Sequence, residues 1–179
     1  DLVTGGRDGS VRYWDPAVKA PVPYAVLPAS VHFWGLAFSP DSKTFLTVTL
    51  PGGAVVQWDT ATLQRAEELR FLGTNHLSVD LSRDGRWLAL GDKVGNTQVW
   101  DFLGRRLVTN LVSQETSVFA LISPPGGNLL NRGAASSNRR TVPKLWRVDG
   151  WQEISLQGIN LEKLFEADCS PDERTLAIA

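Results

Sequence analysis

Phe33-Trp34-Gly35-Leu36-Ala37-Phe38, Ser39-Pro40-Asp41-Ser42, Thr44-Phe45-Leu46-Thr47-Val48-Thr49, Pro51-Gly52-Gly53, Ala54-Val55-Val56-Gln57-Trp58, Asp59: the reading of this stretch decides the fold. Its first six residues are a compact apolar run. The Ser-Pro-Asp that follows suits a tight turn, because Pro presets φ and Asp bonds nearby amides. The next run alternates and is rich in β-branched residues, the pattern of a half-buried strand. Pro-Gly-Gly breaks it, a third run closes on Trp58, and residues 65–71 offer a fourth strand before Gly73. Strands this short, joined by tight turns, make an antiparallel meander.

Outward from this unit the same grammar recurs. Residues 77–81, 87–90, 97–100 and 107–111 form a second unit, and 118–122, 128–131, 142–146 and 152–156 a third. Ahead of them, 2–4, 11–14 and 24–27 read as the last three strands of an earlier unit, and behind them 164–169 and 175–178 as the first two of a later one. Two markers run in phase with the strands. Trp14-Asp15, Trp58-Asp59, Trp100-Asp101 and Trp146-Arg147 are spaced by 44, 42 and 46 residues, and Ser39, Ser82, Ser123 and Ser170 by 43, 41 and 47. A fixed period of this size marks a repeat array rather than one globular core. The units are expected over 1–28, 32–72, 75–112, 116–158 and 163–179, three full and two partial.

Local propensity disagrees in two places. Residues 59–69 carry an N-cap candidate and helix formers, and 161–166 have apolar positions at helical spacing. The phase of the Trp and Ser markers puts strands there, and propensity is a weak prior against a repeating context.

A four-stranded meander of about 40 residues buries neither face by itself, so each must stack on its neighbours. Phe38, Leu81, Ile122 and Cys169, with Leu36, Val79, Ala120 and Ala167 two residues earlier, share one side of each first strand. They are the expected core between sheets. Each periodic Trp falls on a third strand, where a bulky ring fills the widening gap farther from the hub.

Runs such as Phe38-Ser39-Pro40-Asp41, Asp8-Gly9-Ser10-Val11-Arg12-Tyr13-Trp14-Asp15 and Gly95-Asn96-Thr97-Gln98-Val99-Trp100-Asp101 resemble the WD-repeat β-propeller family across the whole chain. The Ser-Pro-Asp turns are similar to bacterial members, some of which carry a serine/threonine kinase domain. The resemblance implies an all-β propeller segment of four-stranded antiparallel blades cut from a seven-bladed ring, and a non-catalytic scaffold for protein or peptide partners. A regulatory or sensor module of a larger bacterial enzyme is the alternative, and a propeller enzyme comes last. Family members often close a polar network of His, Ser/Thr and a turn Asp on the Trp. Here the turn Asp survives only as Asp8, with Gly52, Val94 and Arg140 at the equivalent places, so most blades are expected to lack the network.

Composition excludes several classes. Hydrophobic residues at 42% and charged residues at 21% are ordinary for a globular chain, and a net charge of -1 gives no field toward nucleic acid or an anionic membrane. No apolar stretch approaches the roughly 20 residues of a bilayer span. The single Cys169 and the lack of an Asn-x-Ser/Thr acceptor favour a cytoplasmic setting. The chain opens at Asp1 without Met and ends at Ala179 within apparent strands, which is expected of an excerpt whose remainder completes the ring.

No zinc, calcium, phosphate-loop or nucleophile-elbow spacing is present, so neither catalysis nor a cofactor is expected. Gly5-Gly6-Arg7-Asp8-Gly9 is Gly-rich but lies in a hairpin, and His32 and His76 read as loop-edge residues rather than metal ligands. Arg132, Arg139, Arg140, Lys144 and Arg147 form a basic cluster around the long loop of the third unit, read as a solvated loop. The end of the array where first strands begin is the expected docking face, with Phe33, Trp34, His76, Leu77, Asp80 and Asp168 as its candidate partner-binding residues. For Trp34 the competing reading is burial against the next blade. For Asp80 and Asp168 it is that their side chains reach water in the central channel or cap neighbouring backbone amides.

Overall fold

The computed structural model describes residues 2–5, 10–14, 25–26, 32–50, 52–71, 73, 75–112, 118–122, 127–133, 144–155, 167–169 and 176–178, all of them strand, turn or connection. They fall into two compact units, residues 1–76 and 77–179. The first unit holds a three-stranded sheet, β1 (Leu2–Gly5), β2 (Ser10–Trp14) and β3 (Ala25–Val26). Its second sheet is a four-stranded meander, β4 (His32–Phe38), β5 (Thr44–Leu50), β6 (Ala54–Asp59) and β7 (Arg65–Leu69). Next come β8 (His76–Leu81), β9 (Trp87–Asp92), β10 (Asn96–Asp101) and β11 (Arg106–Val112). β12 (Val118–Ile122), β13 (Asn128–Gly133), β14 (Lys144–Arg147) and β15 (Gln152–Ile154) make the third four-stranded sheet, and β16 (Ala167–Cys169) pairs with β17 (Leu176–Ile178). Every sheet is antiparallel with strands in chain order, the blade pattern expected from the period.

At Ser39 and Ser82 the periodic Ser is the hinge pin of the first hairpin. Ser39 N–H donates to Thr44 O at 2.9 Å, its hydroxyl donates to Asp41 Oδ1 at 2.7 Å, and its Oγ accepts from Thr44 N–H at 3.0 Å. One repeat later, Ser82 N–H donates to Trp87 O at 2.8 Å, its hydroxyl to Asp84 Oδ1 at 2.6 Å, and Trp87 N–H returns to Ser82 Oγ at 2.8 Å. The turn needs one left-handed residue, and Ser42 (φ 56) and Gly85 (φ 72) occupy that place.

The loop from third to fourth strand repeats as closely. Asp59 Oδ1 accepts from the Ala61 and Thr62 amides and the Thr62 hydroxyl at 3.1, 2.8 and 2.9 Å, and Asp101 Oδ1 accepts from Gly104 N–H at 2.9 Å. Arg147 stands at this place in the third blade. Two residues after each Trp, the N–H of Thr60, Phe102 or Val148 donates to the carbonyl of Lys43, Arg86 or Gly127. Five residues after each Trp, Leu63, Arg105 and Trp151 take φ of 56, 48 and 53. Residues 59–69, helical by propensity, are therefore a capped turn followed by β7. Asp59 caps the Ala61 and Thr62 amides as it would at a helix start, but Leu63 at φ 56 ends the turn after one round. Residues 161–166, the second such segment, lie outside the described residues.

Burial follows the expected faces. Ala89, Val99 and Leu111 of one blade and Ala120, Ile122 and Leu129 of the next form one buried cluster, flanked by Trp87, Trp146 and Trp151. In the first unit Phe45, Val56 and Trp58 are buried with Leu36, Phe38 and Leu63 against them, and Phe45 stacks on Trp58 with centroids 6.3 Å apart. Trp58 and Trp100 are buried, while Trp146 and Trp14 are half-buried.

One blade carries part of the polar link that most are expected to lack: Trp58 Nε1–H donates to the fully buried Thr47 Oγ1 at 2.9 Å. Thr47 is the second-strand hydroxyl of that blade. The matching position in the next blade is Leu90, which has no acceptor, and Trp100 Nε1–H turns to Gln98 Oε1 at 3.1 Å. Among the described residues the Trp146 indole N–H is buried with no hydrogen-bond partner. A hydroxyl two residues beyond the Trp's cross-strand neighbour thus decides whether the link forms.

Candidate functional site

The ends of the blades where first strands begin are built from two chain segments: the turn between second and third strands, and the connection leaving the fourth. In the first unit these enclose a cleft of about 220 Å³. Gly52, Gly53 and Val55 line it from one segment, Glu68, Arg70 and Phe71 from the other, and His76 joins them. Gly52 and Gly53 adopt φ of 108 and 66, which an L side chain resists. A Cβ on Gly52 would meet nothing within 4 Å, so the glycine is there for the turn and leaves bare backbone at the rim. Across the cleft β7 ends at Leu69, two residues short of the expected 65–71 strand, so Arg70 and Phe71 lie past its end. Glu68 is bonded by the Arg65 guanidinium, and Arg70 is exposed.

Of the candidate partner-binding residues, the structure brings His76 to this cleft. Both histidines shift from their expected loop-edge positions, since His32 and His76 are the first residues of β4 and β8. His32 is paired with Leu50 in the ladder, and the His76 side chain is 2% exposed. Leu77 is half-buried. Trp34 is the extra residue of a β-bulge, since Phe33 pairs with Thr49 and Gly35 with Val48. Bulges of this kind re-aim side chains at sheet edges and rims. The side chains of Phe33, Trp34 and Asp168 lie outside the described residues, as do Gly6 to Gly9 and the loop bearing Arg139 and Arg140.

Asp80 has a different task from a rim acid. Its Oδ2 accepts from Ile122 N–H at 2.7 Å and its Oδ1 from Leu81 N–H at 2.9 Å, while Ser78 Oγ accepts from Ala120 N–H at 3.2 Å. Two polar side chains of β8 thereby bond the backbone of β12 in the next blade. Lys144 of the basic cluster is paired with Glu153 at 3.0 Å and lies 5.7 Å from the Trp146 ring centre, and Arg147 is exposed.

Sequence reasoning missed Glu68, Arg70 and Phe71. The available signal was the run of two charges and an aromatic ahead of Gly73, which was assigned to a strand. Among the described residues no three of His, Cys, Asp or Glu are grouped to hold a metal ion, and no helix is long and apolar enough to cross a membrane.

The family model "WD domain, G-beta repeat" matches residues 2–15, the hairpin that ends in Trp14-Asp15. The curated proteins give no match. Among solved structures the chain is similar to Kuenenia stuttgartiensis hydrazine synthase, with a TM-score of 0.75 at 15% identity, over 98% of this chain and 54% of that one. The chain thus spans about half the length of that protein, and a likeness at this identity carries the fold and not the activity. Tandem four-stranded antiparallel sheets and this structural likeness give the chain the fold of β-propeller blades, and the hairpin that ends in Trp14-Asp15 matches the WD repeat.

Proposed function

We propose that this chain is a non-catalytic protein-interaction module, a rigid scaffold of cytoplasmic type on which protein or peptide segments dock at the blade ends. The observation that carries this reading is the first-unit cleft. It combines bare glycine backbone, an aromatic, a guanidinium, a carboxylate and a buried imidazole on elements pinned by repeated turns. Such a mixture suits an extended peptide, whose amides meet the glycine rim while one charged side chain meets Arg70 or Glu68. The blades supply shape and hold it still, and no bond needs to be made or broken.

A second reading, a regulatory module within a longer enzyme, is favoured by one finding: a solved structure that the chain resembles is named as an enzyme and is about twice as long as the matched part.

A peptide-display selection on the chain, repeated with Arg70→Glu, separates these readings. The scaffold reading predicts enriched peptides that bind saturably and lose about tenfold in affinity in the variant. A small metabolite that raises the melting temperature through the cleft, with no peptide enriched, supports the sensor reading and contradicts the scaffold.

A further inference from the structure

The geometry points to a second docking surface, on the unit spanning 77–179, for an acidic peptide segment carrying one bulky apolar side chain. It does not depend on the cleft.

The surface grows out of two adjacent blades. Trp87 opens β9 and Trp151 sits in the loop before β15; their rings meet edge to face with centroids 5.6 Å apart. The Arg86 guanidinium lies 4.4 Å from the Trp87 ring centre, a cation–π stack that holds an exposed charge over an aromatic. Phe102 N–H bonds Arg86 O at 2.8 Å, which draws the loop between β10 and β11 alongside. At the tip of that loop Leu103 is 83% exposed. Arg106 pairs with Asp101 in the ladder, and Asp101 with Trp87, so Arg106 belongs to the same end of the blade.

Two departures from the repeat give this patch its character. Where the first two full blades place Asp59 and Asp101 to cap the loop, the third places Arg147, exposed and of opposite sign. Four residues on, at the left-handed position held by Leu63 and Arg105 elsewhere, stands Trp151. Packing against Trp87 compensates a conformation that bulky residues avoid. The acids of this end are partly engaged within the turns: Asp84 by the Ser82 hydroxyl and the Arg86 amide, Asp101 by the Gly104 amide.

A single exposed Leu is ordinary on a protein surface. At the same end of the sheets as the half-buried Trp87 and Trp151 and the exposed Arg86, Arg106 and Arg147 it offers an apolar anchor among arginines, and Trp and Arg are the residue types that dominate interface energies. An acidic peptide answers the arginines and Leu103 together. Nucleic acid fits less well, because Asp84, Asp101 and Asp149 interrupt the charge and the chain's net charge of -1 supplies no long-range attraction for a polyanion.

Fluorescence anisotropy with the chain and a labelled peptide of Glu and Ser around one central Leu tests this. Saturable binding that weakens with added salt is expected, with a further loss when the peptide's Leu becomes Ser. Leu103→Ser and Arg147→Asp should each weaken binding about fivefold or more. Both surface variants should keep the wild-type melting profile, since Leu103 is exposed and Asp is what the other two loops carry. Lack of saturation by ~1 mM peptide, or wild-type binding by both variants, overturns the proposal. So does displacement of the peptide by a single-stranded oligonucleotide, or concentration-dependent self-association that disappears in Leu103→Ser, which would make a second copy the occupant.

Discussion

The carboxylate of Asp80 accepts a 2.7 Å hydrogen bond from the backbone N–H of Ile122, one repeat further along the chain. With Ser78 bonding Ala120 N–H, it ties the first strand of one blade to the first strand of the next, side chain to backbone.

Removing that carboxylate leaves the Ile122 amide without its charged acceptor in a partly buried place. Asp80→Ala should therefore destabilise the chain by about 2 kcal/mol, Ser78→Ala by about 1 kcal/mol, and the double variant by other than the sum. Urea denaturation of the four proteins checks this, and additive or negligible losses would mean the two bonds do not act as one seam.

Thr47 and the Trp58 indole form the buried polar link of their blade. Thr47→Val keeps the volume and removes the acceptor, so a loss of about 1 to 2 kcal/mol is expected. Leu90→Thr in the next blade offers Trp100 a hydroxyl at the matching position, but Gln98 already holds that indole and a buried methyl is lost, so no gain in melting temperature should follow.

Gly85 and Ser42 occupy the same left-handed position in successive turns. Gly85→Ala should cost about 1 kcal/mol because its Cβ meets the strain that glycine avoids. Ser42→Gly should alter stability by only a few tenths of a kcal/mol, the relief being offset by added freedom in the unfolded chain. A pair of thermal melts decides this, and equal effects at both sites would contradict the assigned turn.

Asp41 and Asp59 are both held below the ordinary carboxylate value of 3.8, Asp41 by the Ser39 hydroxyl and then the Lys43 amide, Asp59 by the Thr62 amide and then its hydroxyl. A depressed folded-state value contributes stability that is present above the unfolded value and lost as pH falls through the folded one. The chain should thus lose stability as pH drops below 3.8. The double variant Asp41→Asn with Asp59→Asn should show a shallower acid limb, measured as urea midpoint against pH.

The architecture was legible because the period is written in residues whose roles are local. Ser39 and Ser82 build the same turn, Asp59 and Asp101 cap the same loop, and each Trp fixes the phase between them. What stayed hidden depends on partners far apart in the chain. Nothing near Asp80 announces Ile122 as its donor, and Thr47 looks like any β-branched strand residue until its register with Trp58 is known. The cleft escaped for the same reason. Arg70 and Phe71 continue a strand-like run, and only the end of β7 at Leu69 shows that they line the cleft instead.

Amide hydrogen exchange on Asp80→Ala tests most directly whether the blades stand by leaning on one another. Stacked blades predict that protection falls at Ile122 and spreads through β8 to β15 together, while β5 and β6 keep theirs. Loss confined to Leu81, with Ile122 still protected, would contradict the seam and with it the account of a stack in which neighbours complete each other.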